Sequence, residues 1–145
     1  MPVTARPDVT GAVIAYLRAI PAISALAGTK ISARRQASWS LPAYAVLVEG
    51  RRGGGEDPES PALWQRFDLT CYGTDDRTAD LLWRTLDYAF CPEVGSGRVN
   101  GFRAAATTVL KVEREGGPLG LEDPDTGWPS TVGTYRVWFA PEPYA

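Results

Sequence analysis

The sequence contains no histidine, which removes the commonest side chain in acid–base catalysis and in metal binding. Neither a Ser-His-Asp triad nor a Cys-His pair can therefore form within this chain. The two cysteines, Cys71 and Cys91, flank a predicted helix of about 25 Å, which is too long for a disulfide to join them. Two thiols at opposite ends of a helix do not make a metal site either. We expect no enzymatic activity, no cofactor and no bound metal.

Lysine is also scarce, because only Lys30 and Lys111 are lysines among the 15 basic residues, which leaves 13 arginines. The 17 acidic residues give a formal net charge of −2, so no overall basic field predicts binding to nucleic acid. Arginine is favoured at protein interfaces because its planar fork pairs with carboxylates and stacks on aromatic rings. Arginine-rich codon usage explains the same count, and composition does not separate the two explanations.

No apolar run approaches the ~20 residues needed to span a bilayer, and the N-terminus shows no charged start followed by an apolar stretch. We therefore expect a soluble protein with no secretory signal and no membrane contact, made and used in the cytoplasm. Two free thiols fit a reducing compartment of this kind. The 145 residues suit a single domain, residues 1–145, with a substantial core.

The stretch from Leu63 to Phe90 has the clearest pattern, a strand that turns directly into an amphipathic helix. Residues 63–72 alternate, and the positions predicted to face the helices include Phe67, Leu69 and Cys71, against Trp64, Arg66 and Tyr72 on the other face. Gly73 ends the strand, and Thr74 is placed to cap the helix, with two aspartates in the first turn. The apolar spacing then becomes helical, which predicts a helix packed on its own strand.

The other elements are predicted by the same patterns. A helix from about Asp8 to Ile20 precedes one or two further turns from Pro21 to Gly28. The remaining predicted strands are Lys30–Arg35, Ala43–Glu49, Phe102–Glu113 and Thr131–Ala140. The order α-β-β-β-α-β-β predicts an α+β fold, a mostly antiparallel sheet of about five strands with two helices packed on one face.

Two segments rich in glycine, proline and acidic residues are predicted to be long loops, residues 50–61 and 116–130. Loops of this length are functional or disordered, and both interpretations remain open. The Gly53-Gly54-Gly55 run is not a phosphate loop, because Glu56, Asp57 and Pro58 follow it in place of a lysine and a hydroxyl residue. If residues 50–61 form a loop, shortening it between residues 53 and 60 leaves the fold intact.

Five tryptophans accompany the arginines. Trp39 and Trp128 fall in predicted loops, and Trp64 and Trp138 fall on the strand faces turned away from the helices. Tryptophan and arginine together on an outer face are typical of a subunit interface. The alternative is that these aromatics fold over the sheet edge within one subunit. The candidate interface residues are Arg34, Trp39, Arg51, Arg52, Glu56, Asp57, Trp64, Arg66, Trp128 and Arg136.

Three stretches resemble the tail-terminator (tail-completion) proteins of long-tailed bacteriophages. One is the helix end Pro-Ala-Ile-Ser-Ala-Leu-Ala-Gly at Pro21–Gly28, and another is the strand Leu-Pro-Ala-Tyr-Ala-Val-Leu-Val at Leu41–Val48. The third is Gln65–Asp87, where a strand ends in an aromatic and a small residue just before a helix. The resemblance covers nearly the full length of the chain, and the family has no catalytic motif to match.

The resemblance implies a structural virion protein with no enzymatic step. Members form a ring, usually a hexamer, that caps the tail tube, ends its elongation and joins the tail to the head connector. The implied partners are further copies of the chain, the tail tube protein and the head connector or stopper protein, while DNA crosses the lumen without specific binding. The protein would be made in the host cytoplasm and finish at the head-proximal end of the virion tail. The candidate residues would then contact a neighbouring subunit or the tail tube.

Other functions remain open. A neighbouring head–tail connector or adaptor protein has a similar order of elements. A carbohydrate-binding module would use Trp39, Trp64 and Trp128 as stacking platforms for sugar rings, although such modules are normally secreted. An enzyme of unknown type is disfavoured by the lack of histidine and of a convergent polar set.

Overall fold

The computed structural model describes residues 5–34, 39, 44–56, 58–59, 61–90, 98–124 and 126–144, with the backbone alone for 52, 53 and 98–100. Within these ranges the chain has three helices and six strands. The helices are α1 Val9–Ala19, α2 Pro21–Ala27 and α3 Asp76–Phe90. The strands are β1 Ile31–Ser32, β2 Ala45–Glu56, β3 Leu63–Tyr72, β4 Arg98–Ala104, β5 Thr107–Glu122 and β6 Pro129–Phe139.

The strands form one sheet in the order β1-β2-β3-β6-β5-β4. β1 runs parallel to β2, and the other four pairings are antiparallel. The α+β class is confirmed. The sheet is mixed, because one of its five pairings is parallel, and it has six strands where about five were predicted. The parallel pair was missed because β1 has only two residues, and so short a strand carries no pattern from which its direction can be inferred.

The three helices pack on one face of the sheet. The main core joins Leu17 of α1, Ile23 of α2 and Leu86 of α3 to Phe67 and Leu69 of β3, each no more than 1% exposed. The predicted alternation along β3 is therefore correct. Cys71 completes the same row, and its burial raises the pKa of the thiol, so Cys71 stays protonated and unreactive. Cys91 lies outside the described residues.

The α1–α2 segment follows the predicted signals at both ends. The Asp8 carboxylate accepts a hydrogen bond from the Gly11 amide at 3.0 Å, which caps α1. Pro21 opens α2, and Gly28 follows its last residue with a positive φ of 59°. No single described helix is long and apolar enough to cross a membrane, and α1 with α2 meets that criterion only as a pair bent by 89°.

The cap of α3 is Asp75 rather than the predicted Thr74. The Asp75 carboxylate accepts from the Thr78 amide at 2.8 Å, while the Thr78 hydroxyl accepts from the Asp75 amide at 2.9 Å. This reciprocal arrangement is a capping box built with threonine. The hydrogen bonds from Thr78 hold the pKa of the Asp75 carboxyl below its usual value. The strand-to-helix turn is therefore closed by its own residues.

The segment predicted as a loop over residues 50–61 is mostly strand. β2 continues to Glu56, and its pairing with β3 includes Gly54 with Gln65 and Glu56 with Leu63. The register shifts between Gly50 and Gly54, where the four-residue step on β2 matches a two-residue step on β3, so the glycines accommodate a bulge. Backbone hydrogen bonds to β3 offset the low strand propensity of this segment. A deletion from residue 53 to 60 would remove a paired strand, so we no longer expect it to spare the fold.

The segment predicted as a loop over residues 116–130 is also largely strand. β5 continues to Glu122 and β6 begins at Pro129, which leaves a short turn between them. In that turn the Asp123 amide donates to the Trp128 carbonyl at 2.9 Å, and the Gly127 amide donates to the Asp123 carbonyl at 2.7 Å. The long glycine-rich segment is thus an extension of a β-hairpin.

The strand predicted over Phe102–Glu113 is two strands. Ala105 and Ala106 have φ values of 48° and 58°, and they form the turn between β4 and β5. Left-handed backbone is uncommon for alanine, which is why the sequence shows no turn signal here. The structure therefore adds β4 as an edge strand that the sequence did not predict.

Candidate functional site

One face of the sheet is covered by the helices, and the opposite one, here called the outer face, carries arginine, tryptophan and carboxylate side chains. The even-numbered residues of β3 and β6 alternate with the core residues and so point to this side. β2 and β5 extend the face on either side. Its charged, tryptophan and hydroxyl residues include Glu49, Arg51, Trp64, Arg66, Asp68, Lys111, Glu113, Glu115, Thr134, Arg136 and Trp138.

Glu115 connects two arginines of the outer face, Arg66 and Arg136. Register places Arg66 directly opposite Arg136, an arrangement of like charges that is unfavourable on its own. The Glu115 carboxylate lies between them, with Oε1 3.1 Å from Arg66 Nε and 3.0 Å from Arg136 Nε. Glu115 lies in a register shift of β5 between Arg114 and Gly116, and this extra residue directs its side chain towards both arginines.

The same arginines stack on tryptophan. The guanidinium of Arg136 lies 4.1 Å from the ring centroid of Trp64, and that of Arg66 lies 5.1 Å from it. Trp64 is opposite Trp138, whose ring is covered by the Lys111 ammonium at 4.8 Å. Cations at these distances are attracted by the negative faces of the rings. Stacking and ion pairing together hold these side chains in place within the chain.

Charges on the outer face are closely balanced. Arg51 pairs with Asp68 at 3.3 Å, and Asp68 also accepts a hydrogen bond from the Thr134 hydroxyl at 2.8 Å. Lys111 pairs with Glu113 at 2.8 Å. Glu49 of β2 is opposite Asp68 and adds a fourth carboxylate. The described side chains of β2, β3, β5 and β6 on this face are therefore four cationic and four anionic, and this balance does not predict binding to a polyanion.

The fold is shared with a known virion component. No protein-family model matches the chain, and no curated protein matches its sequence. Among solved structures, a chain from the virion of a native gene transfer agent particle superposes with a TM-score of 0.66. The match covers 90% of this chain and 93% of that chain, at 14% sequence identity. The two chains share one fold. At this identity the likeness establishes the fold alone, and it leaves the resemblance to the tail-terminator family a hypothesis.

The structure brings part of the predicted site together on this fold. Arg51, Trp64, Arg66 and Arg136 lie on the outer face, as the alternation of β3 and β6 predicts for three of them. Whether they contact a subunit or a tube stays a prediction. Trp138 was predicted to lie on this face and does so opposite Trp64, although it was not among the candidate interface residues. Glu115 was missed because a bulge is not visible in the sequence.

Trp39 and Trp128 are not on the exposed part of this face. They are 7% and 8% exposed and form a second buried cluster with Ala45 and Tyr72. The ring of Trp128 meets the ring of Tyr72 edge-on, with centroids 5.4 Å apart. Both residues lie outside the strands, but the prediction that they are exposed is wrong, because their rings pack with Ala45 of β2 and Tyr72 of β3. Neither ring is available as a flat platform for a ligand.

The remaining predicted residues lie elsewhere or are not described. Arg34 is exposed just after β1, and Glu56 is exposed at the last position of β2. Arg52 lies within β2, where only its backbone is described, and Asp57 lies outside the described residues. Within the described residues, no group of three acidic or cysteine side chains is arranged to hold a metal ion.

We expect Glu115→Gln to lower the free energy of unfolding by about 1 kcal/mol at pH 7. This is the contribution of a charge-assisted hydrogen-bond network, reduced because its side chains are partly exposed to solvent. Partial burial alone would raise the pKa of Glu115, but the hydrogen bonds and charges of Arg66 and Arg136 lower it below its usual value. Because the pKa is lower in the folded state, the carboxylate stabilises the folded protein fully at pH values above the unfolded-state pKa of about 4.3. This stabilisation is lost as the pH falls through the folded-state pKa. Urea unfolding at pH 7 and pH 3 measures the difference.

The matched control is Glu142→Gln, which neutralises an exposed glutamate near the C-terminus. It should leave stability unchanged at both pH values. Equal stability of wild type and Glu115→Gln across the whole pH range would show that the carboxylate contributes nothing to the outer face.

Proposed function

We propose that this chain is a structural subunit of a phage-like virion, and specifically a tail terminator. The observation that carries the proposal is the shared fold, over 90% of the chain, with a chain of the gene transfer agent virion. The sequence resemblance at residues 21–28, 41–48 and 65–87 points to the terminator within that class. In this role, copies of the chain form a ring at the head-proximal end of the tail tube and join it to the head connector.

The chemistry of the outer face suits an assembly surface. Arginine and tryptophan are the residues that most often dominate protein–protein contacts. Arg66, Arg136 and Trp64 are held by Glu115 and by stacking, so little side-chain entropy is lost when a neighbour or the tube covers them. The near balance of charge also suits a ring through which DNA passes without being held.

A head–tail connector or adaptor protein is the second candidate. The virion likeness supports either role, because the match is to a chain of a virion and does not identify that chain's position in the particle. A carbohydrate-binding module is disfavoured, because Trp39 and Trp128 are buried and arginines cover the ring of Trp64. Sugar stacking needs an open aromatic face.

Deleting the gene from a particle-producing host tests the terminator role. A cap stops polymerisation of the tube, so its loss should give tails of variable, excessive length that carry no heads, as seen by electron microscopy. Complementation with the wild-type chain should restore uniform tails. Tails of normal length that merely fail to join heads would instead identify an adaptor, and normal particles would refute a virion role.

A further inference from the structure

Within the described residues, two edges of the sheet each contain a strand segment that pairs on one side only. β1 covers just two residues of β2, so residues 48–56 pair with β3 alone among the described strands. β4 begins opposite Glu113, so residues 114–122 of β5 pair with β6 alone among the same strands. We call these the β2 edge segment and the β5 edge segment. The unpaired side of an edge strand presents backbone N–H and C=O groups that can bind a further strand.

The two edge segments have the same length along the sheet. The β2 edge segment lies level with residues 133–139 of β6, through their common neighbour β3. The β5 edge segment lies level with residues 129–135 of β6. Each segment therefore covers seven ladder positions with nine residues, since bulges accommodate two residues in each. The two segments are displaced from each other by four positions along the strands.

The strand directions and faces also match. β2 and β6 run the same way, because each is antiparallel to β3, and β5 runs against both. A second copy placed beside the first in the same orientation therefore brings its β2 edge segment antiparallel to the β5 edge segment of the first, as in a regular antiparallel ladder. Because a displacement of four is even, the side-chain alternation of the two copies agrees, and their helix layers stay on one side.

With this displacement the described strands of the two copies fit without overlap. The neighbour's β2 ends at Glu56, one position before Arg98, where β4 of the first copy begins. The β5 edge segment ends at Glu122, one position before Ser32, where the neighbour's β1 ends. A displacement of two would make the strands overlap at both places, and a displacement of six would leave part of each segment unpaired. Four is therefore the even displacement that pairs both segments in full.

The register that follows is compatible with the residues it brings together. Glu56, which is exposed, lies opposite Arg114 of the other copy, and opposite charges directly across an antiparallel ladder stabilise it. Arg114 lies on the helix side, where one of its five N–H groups donates to Asp87 at 2.6 Å. Gly50 lies opposite Gly120, so no pair of side chains crowds the ladder there.

We propose that copies of this chain join edge to edge, with the β2 edge segment of one copy pairing antiparallel to the β5 edge segment of the next in one continuous sheet. Because both segments belong to the same chain and match in length and direction, a second copy satisfies both at once. Two different surfaces that meet in head-to-tail fashion generate a closed ring or a filament. The inference rests on the proposed ring and specifies which surfaces build it, and it leaves the outer face to other contacts.

The tilt that this contact gives the strands is that of a closed sheet. Each copy adds the four strands β2, β3, β6 and β5 to the width, about 19 Å at ~4.8 Å per strand. Over that width the displacement of four positions is about 13 Å along the strands, which corresponds to a tilt of about 35°. Sheets that close into barrels tilt their strands by about 35–45°. The geometry therefore favours a ring over an extended filament.

The test places one pair of cysteines in the full chain, with Cys91→Ser as the background. In the proposed register Leu121 lies opposite Glu49 of the neighbour, and both side chains are exposed on the outer face. Within one chain β3 and β6 separate these residues by at least about 14 Å, which is too far for a disulfide. The test variant is therefore Glu49→Cys with Leu121→Cys. The matched control is Glu49→Cys with Leu110→Cys, because Leu110 is 46% exposed on the part of β5 that β4 covers.

Both variants should melt as wild type does and assemble as it does, by sedimentation in solution or on isolated tail tubes. Mild oxidation of the assembled test variant should give a ladder of covalent dimers, trimers and larger species on a denaturing gel. Reduction should return this ladder to monomer. The control should give at least tenfold less cross-linked product.

Hydrogen exchange of the wild-type chain is a second measurement that needs no substitution. Amides of the two edge segments that face their unpaired sides should exchange at least tenfold more slowly in the assembly than in the monomer, because the neighbour's carbonyls accept from them. Residues 102–104 of β4 are the internal control. Their edge lies beyond the end of the neighbour's β2, so their exchange should not change.

An assembly in which the test variant cross-links no more than the control, or in which both edge segments exchange as fast as in the monomer, would overturn the inference. The terminator role would stand in either case, because deletion of the gene scores it separately. A wild-type chain that neither associates in solution nor assembles on tubes, and whose deletion leaves particles normal, would refute the inference and the proposed function together.

Discussion

Trp128→Ala should lower the free energy of unfolding by about 3–5 kcal/mol, the range measured when a large buried aromatic is truncated. Trp128 is 8% exposed, and its ring packs edge-on against Tyr72 within the cluster that includes Trp39 and Ala45. The Tyr72 hydroxyl donates to the Asp123 carboxylate at 3.0 Å, so the ring pair also anchors the turn between β5 and β6. Urea or thermal unfolding followed by circular dichroism measures the change.

Leu121→Ala is the control for Trp128→Ala, because Leu121 is in the same hairpin but 48% exposed. It should change stability by no more than about 0.5 kcal/mol. A Trp128→Ala protein as stable as wild type would show that the second cluster does not support the fold. If that stable variant also lost binding to a glycan array, the sugar-binding alternative would be favoured instead.

Asp87→Ala should lower the free energy of unfolding by about 2–3 kcal/mol, because a partly buried carboxylate with two strong donors is removed. Asp87 Oδ1 accepts from the Tyr135 hydroxyl at 2.8 Å, and Oδ2 accepts from Arg114 at 2.6 Å. The Asp87 side chain is 15% exposed, and Tyr135 is fully buried. These two contacts connect α3 to β5 and β6, so their loss should loosen the helix from the sheet.

Asp80→Ala on the same helix provides the comparison. Asp80 pairs with the exposed Arg84, and an exposed pair of this spacing contributes about 0.3–0.5 kcal/mol. A double-mutant cycle that combines Asp87→Ala with Tyr135→Phe should show a coupling energy above about 0.5 kcal/mol, since the two groups contact each other. Strictly additive effects would mean that the hydrogen bond between Asp87 and Tyr135 does not stabilise the native state.

These two variants also bear on how assembly experiments are interpreted. Trp128 and Asp87 act on the folded subunit, whereas Leu119, Leu121 and Tyr88 are exposed and should leave the subunit intact. In a test of the proposed tail capping, a loss caused by Trp128→Ala or Asp87→Ala is explained by the lower stability of the subunit. A loss caused by a variant at an exposed residue, at unchanged melting temperature, is not explained by stability.

The sequence predicted some residues of the candidate site and not others. The period of two along β3 placed Trp64 and Arg66 together, and the same period along β6 placed Arg136 with Trp138. No periodic signal located Glu115, because a register shift in β5 decides which side of the sheet its carboxylate reaches. Trp39 and Trp128 occur where composition predicts loops, and their burial follows from strands that pair far apart in sequence.

The amino-acid sequence by itself determined the α+β class, the α3 stripe and the two faces of β3, since these depend on residue spacing within one element. The tertiary structure alone decided where the glycine-rich stretches 50–56 and 116–122 become strand, because hydrogen bonds from β3 and β6 offset their weak propensity. It also decided the turn at Ala105 and Ala106, and the parallel pairing of β1. Local patterns report which face a residue prefers, whereas pairing partners, bulges and shared clusters depend on chain segments that meet only in the folded protein.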